Sequence, residues 1–113
     1  MSDILQTSFE DGRISYARNG ALYRVQVVWF GVDARSLADT QIALARQGVR
    51  SRLHTTGGGR SSFRLIANGS AALAFARLAV ARGHDRYQQV IDFYAVPARD
   101  RIPPVGGDAY SYE

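Results

Sequence analysis

Hydrophobic and polar positions alternate most clearly across residues 22–30. Tyr23, Val25, Val27 and Trp29 fall on one side, and Leu22, Arg24, Gln26, Val28 and Phe30 on the other. The segment is β-branched and aromatic with no internal Gly or Pro, so it predicts a central strand with one face in a core and a mixed face turned to a partner. Residues 34–47 are rich in Ala and Leu and contain no breaker. Asp33 and Ser36 both suit an N-cap, Ser36 and Asp39 resemble a capping box, and Gly48 stands at C′, so this stretch predicts a helix. Residues 49–56 alternate as a strand, Gly57-Gly58-Gly59 suits a hairpin loop, and 61–67 predicts the returning strand. Asn68-Gly69-Ser70 reads as a turn ending in an N-cap, 71–82 as an Ala-rich helix closed by Gly83, and 87–96 as a last strand stopped by Pro97.

The core order is then β-α-β-β-α-β. Its halves echo each other: Tyr23-Arg24-Val25 precedes a helix ending Ala45-Arg46-Gln47-Gly48, and Phe63-Arg64-Leu65 precedes one ending Ala81-Arg82-Gly83. Paired βαβ units in this order imply an α+β, ferredoxin-like sandwich, an antiparallel sheet with two helices on one face. Before it, Asp11-Gly12 and Asn19-Gly20 are tight-turn dipeptides, which makes residues 1–21 an added N-terminal β-hairpin with Ile14 and Tyr16 on one face. Residues 22–96 form the domain proper, and 97–113 have the Pro/Gly composition of a flexible or draped tail. One conflict stands in this scheme. A ferredoxin-like sheet occupies both edges of its first strand, yet the Asn19-Gly20 turn asks the preceding segment to pair with that same strand.

The 113 residues, 46% hydrophobic and 21% charged, match one ordinary globular domain. The chain has no basic-plus-apolar leader and no apolar run long enough for a membrane span, so it reads as cytoplasmic as written, with the native compartment unassigned. The absence of cysteine excludes disulfides, thiolate metal sites and cysteine nucleophiles. Net charge is +4, and all fourteen basic residues are arginine. Codon bias in a GC-rich genome explains that usage; so does a need for guanidinium forks, which grip phosphate and carboxylate in bidentate fashion and stack on rings.

Chemistry-bearing residues are sparse. His54 and His84 stand thirty positions apart, without metal-ligand spacing or a serine–acid pattern, and the latter suits a helix end. Asp92, between Ile91 and Phe93 of the expected last strand, suits cross-strand pairing with an arginine better than a general-base role. Gly57-Gly58-Gly59-Arg60 lacks the spacing and Lys of a phosphate-binding loop. No enzyme, metal or cofactor is therefore expected. What remains is a surface: alternation gathers Arg24, Gln26, Phe30, Arg50, Arg52, His54 and Arg64 on one sheet face, with Asp92 and Tyr94 joining from the last strand. Such a face is a plain solvated sheet, a platform for sugars or nucleic-acid bases, or the interface of a homodimer.

The run Tyr23-Arg24-Val25-Gln26-Val27, the helix ending at Gly48, and Phe63-Arg64-Leu65 before a second helix resemble the SPOR domain over roughly residues 22–96. The resemblance implies a β-α-β-β-α-β fold and binding of bare peptidoglycan glycan strands on the sheet. Gln26 matches the family's glycan-contacting strand-one glutamine, and Arg64 the basic residue of the second repeat. Where the family has Gly-Ser-Phe and Gly-Pro-Phe type sequences, this chain reads Val28, Trp29, Phe30 and Ala67, Asn68, Gly69. The leading expectation is thus a non-enzymatic glycan-binding module. The alternative is a cytosolic protein that binds nucleic acid or a nucleoprotein, such as a small phage- or bacterium-encoded inhibitor.

Overall fold

The computed structural model describes residues 3–31, 33–56, 62–104 and 111–112. In chain order these form α1 (Ile4–Asp11), β1 (Arg13–Asn19), β2 (Leu22–Gly31), α2 (Ala34–Arg46), β3 (Arg52–Thr56), β4 (Ser62–Asn68), α3 (Ser70–Ala81), α4 (Gln88–Ala95) and a short β5 (Ser111–Tyr112). Two single 3-10 turns, Asp85–Tyr87 and Ala98–Asp100, flank α4. The fold is α+β. Strands β3, β4, β2 and β1, in that spatial order, make a four-stranded antiparallel sheet, and β5 lies parallel to β1 at its outer edge.

The alternation in 22–30 sorts as its sequence suggests. Val25, Val27 and Trp29 join Ile14 and Tyr16 of β1 and Leu65 and Ala67 of β4 in one buried cluster. Leu5 and Phe9 of α1, Leu37 and Leu44 of α2, Phe75 and Ala79 of α3, and Val90 and Phe93 of α4 complete it. All four helices of the described residues therefore feed the same sheet face. Phe75 is the hub: its ring meets Phe9 at 5.3 Å, Trp29 edge-on at 5.0 Å and Tyr87 edge-on at 5.2 Å. Tyr16 is fully buried there, and its hydroxyl donates to Gln89 Oε1 at 3.0 Å. Burial first, and the neighbouring Tyr94 phenol second, hold that hydroxyl protonated well above the ordinary tyrosine range.

Several sequence expectations change. Residues 87–96, expected as the closing strand, form a 3-10 turn and α4 instead. Tyr87, Val90 and Phe93 are its buried positions, a three-residue repeat that only a helix turns to one side. The place beside β2 goes to β1, which resolves the conflict over the two edges: the hairpin turn prevails. The turn itself sits one residue later than expected, since Asn19 pairs with Leu22 and leaves Gly20–Ala21 as the loop. Only Gly20, at φ +65°, is left-handed, which fits the type II′ hairpin turn.

The expected hairpin within residues 1–21 is likewise replaced. Asp11 ends α1 rather than opening a turn, and β1 is an integral strand. Asp3 caps α1 by accepting from the Gln6 N–H, and Leu5, Ser8 and Phe9 are buried at helical spacing. Asp33 rather than Ser36 caps α2, accepting from the Arg35 N–H, and Gly69 rather than Ser70 precedes α3. β3 starts at Arg52, three residues later than expected. From the tail, Arg101 returns to donate to the Val96 and Tyr94 carbonyls. The Gly57-Gly58-Gly59 loop with Arg60 lies outside the described residues.

Gly12 marks the tightest seam. The Tyr87 hydroxyl donates to the Phe9 carbonyl at 2.8 Å, and Arg86 Nη2 donates to the Phe9, Glu10 and Gly12 carbonyls, clamping the end of α1 to the segment before α4. A Cβ on Gly12 would stand 2.7 Å from the Tyr87 hydroxyl and 3.0 Å from Val27 Cγ1. Its φ of −64° is ordinary for alanine, so the penalty of Gly12→Ala is steric. That variant is expected to lose about 1–3 kcal/mol in urea denaturation.

Candidate ligand-binding face

Cross-strand register assembles the face the helices leave. One row runs Arg13, Val28, Ile66, Arg52 across β1, β2, β4 and β3; the next runs Phe30, Arg64, His54. On the other side of the first row stand Ser15, Gln26 and Asn68, and beyond them Ala17 and Arg24. The centre of the face is closed: Val28 and Ser15 have no exposed surface, and Ile66 has only 9%. The periphery is open. Arg13, Arg24 and Arg52 are exposed, and Phe30 shows 54% of its surface beside half-buried Arg64. Arg64 Nε is buried with no hydrogen-bond partner.

The charge on this face has one sign. Among the described residues the strands contribute Arg13, Arg24, Arg52, Arg64 and His54 to it and no carboxylate. Every described carboxylate lies on a helix, a cap or a turn. At one end of the face Glu10 and Asp11 of α1 line a hollow of about 510 Å³ together with Arg13, Phe30 and Arg86. At the opposite corner, where β3 begins and β4 ends, a groove of about 760 Å³ is lined by Arg50, Arg52, His54, Ile66 and Asn68 against Gln41 and Ile42 of α2, and by no acid.

Of the residues expected on the platform, Arg24, Gln26 and Phe30 stand on β2, Arg64 on β4, and Arg52 and His54 on β3, all on one face. Arg50 is exposed on the loop before β3 and joins at the groove. Tyr94 is not part of the platform. It lies on α4, packs edge-on against Phe93, carries the Arg101 guanidinium over its ring and accepts from the Val25 N–H at 3.0 Å. Asp92 is also displaced: exposed on α4, it accepts from Gln88 Nε2 one helical turn earlier and meets no arginine of the sheet. His84 follows α3, with Nε2 at 3.0 Å from Gln6 Nε2 and its ring 4.9 Å from Phe9.

Arg13 is the functional candidate that sequence reasoning missed. Its signal was present, since Ile14 and Tyr16 inward require Arg13 outward once the hairpin belongs to the sheet. Guanidinium groups at the corners of an apolar centre can hold oxyanions spaced along a strand, and the Phe30 ring offers a stacking surface. Among the described residues no three acid or histidine side chains converge as a metal site would require, and no helix is long and apolar enough to cross a membrane. No family model matches the chain, and no curated protein or solved structure matches it either.

Proposed function

We propose that this protein is a non-catalytic binding module whose sheet face, open along its arginine-bearing periphery, takes an extended, phosphate-bearing strand, a single-stranded nucleic acid. The observation that carries this reading is the segregation of charge: Arg13, Arg24, Arg52 and Arg64 share a face with no carboxylate among the described residues. Arg24 and Arg52, exposed and away from the hollow that Glu10 and Asp11 line beside Arg13, keep their bidentate capacity for a ligand. Phe30 beside Arg64 supplies one stacking position, so affinity comes mainly from the backbone and little from base identity. The scaffold is a ferredoxin-like sheet in which β1 takes the place of the closing strand.

A second reading is SPOR-like recognition of a peptidoglycan glycan strand. It draws on Gln26, Phe30 and Arg64 sharing one face. A side-by-side assay separates the two: anisotropy with a labelled single-stranded oligonucleotide of about 20 nucleotides, and co-sedimentation with purified sacculi. The oligonucleotide is expected to bind, with Arg64→Ala weakening it while the melting temperature holds. Retention by sacculi alone would replace the nucleic-acid reading with the glycan one.

A further inference from the structure

Strand β3 ends the sheet, and among the described residues no strand pairs with its outer side. The direction of its amides follows from β2. The Val25 N–H donates to the Tyr94 hydroxyl and the Val25 carbonyl accepts from Gly69, so the odd-numbered residues of β2 turn their backbone groups toward β4. Antiparallel alternation across the register then turns Leu65 and Ala67 toward β2, and Arg64 and Ile66 toward β3. Arg52 and His54 answer β4, while Leu53 and Thr55 present their N–H and C=O groups outward. Just before them, the Ser51 carbonyl already accepts from Gln41 Nε2 at 2.9 Å, and the Ser51 hydroxyl is buried without a partner.

We propose that this edge receives an extended acidic peptide segment of a partner protein as an added strand. The groove of about 760 Å³ opens at the head of this edge, where β3 and β4 part beside α2, and has two characters. Arg50 and Arg52 give it positive charge, His54 adds a hydrogen-bonding ring, and Ile42, 52% exposed on α2, gives it an apolar wall. An added strand presents alternate side chains to opposite faces, so carboxylates would meet Arg52 and His54 while apolar residues meet the α2 side. Charge selects the occupant. A second copy of β3 laid on the first would bring the arginines of the two edges together, which opposes self-pairing, whereas an acidic strand relieves the same repulsion. The inference does not depend on the nucleic-acid reading, because its attraction resides in backbone hydrogen bonds as well as charge.

The test is anisotropy with a labelled short peptide alternating Glu and Val, beside the same peptide N-methylated at alternate amides and a version with Lys for Glu. The unmodified acidic peptide is expected to bind about tenfold or more tighter than either analogue. Thr55→Pro removes one outward N–H without touching the ladder to β4 and is expected to weaken the acidic peptide comparably, as Arg52→Glu should. Equal binding of the N-methylated peptide would show that charge alone holds it and overturn the proposal; so would failure of the acidic peptide to bind. Should Thr55→Pro lose its fold by circular dichroism, the N-methylated peptide on the wild-type protein decides.

Discussion

Phe75→Ala is expected to remove about 3–5 kcal/mol of folding stability, the largest loss from any single truncation in this chain. Phe75 has no exposed surface and holds rings from three separate segments: Phe9 of α1, Trp29 of β2 and Tyr87 before α4. Truncating it opens a cavity between α3 and every element that α3 joins to the sheet. Edge-on aromatic pairs add about 0.5–1.5 kcal/mol each beyond buried area, and two of the three contacts have that geometry. A domain of this size has about 5–15 kcal/mol in total, so the variant should sit near its unfolding limit at room temperature. Urea denaturation reads the effect. A loss below about 1 kcal/mol would mean that the rings are not the joint between helices and sheet.

The second large effect concerns the face. The double reversal Arg24→Glu, Arg52→Glu is expected to weaken oligonucleotide binding about 100-fold or more at low salt, with folding stability changed by less than about 1 kcal/mol. Both side chains are exposed, and both stand on the face free of carboxylates. The control is Arg35→Glu, Arg77→Glu, two exposed positions on α2 and α3. Each double variant lowers the formal net charge by four, from +4 to zero. If placement governs binding, the helix-side variant keeps most of its affinity. Equal losses in the two would reduce the effect to bulk charge and remove the face from the account.

How much of this was legible in the chain varies by element. The strand at 22–30 was legible because one uninterrupted alternation makes its core side apolar, and Val25, Val27 and Trp29 are indeed buried. Gly48 and Gly83, at φ +79° and +93°, end their helices where a left-handed residue is needed, so the two Ala-rich segments were marked at their ends. The segment 87–96 misled because Tyr, Val, Ile and Phe favour strands by composition. Period decides over composition here: Tyr87, Val90 and Phe93 recur every third residue, with Gln88 and Asp92 exposed between them. At the N-terminus Asp11-Gly12 looks like a hairpin turn, while the competing helix signal, Asp3 followed by Leu5, Ser8 and Phe9, rests on one short amphipathic stretch. The first misreading placed Tyr94 on the candidate face, where it does not belong, and the second left Arg13 out of it. The arginines of β2, β3 and β4 were legible from alternation alone, whereas the groove beside α2 depends on where β3 leaves the sheet, which no local pattern encodes.

The most direct measurement is the affinity of the wild-type protein for a single-stranded oligonucleotide as a function of salt. With four face arginines on phosphates, log K should fall linearly with log salt at a slope of about −3, and the Arg24→Glu, Arg52→Glu protein should show a visibly shallower line. A flat dependence, or no binding even at low salt, would contradict a face built to grip a phosphate backbone.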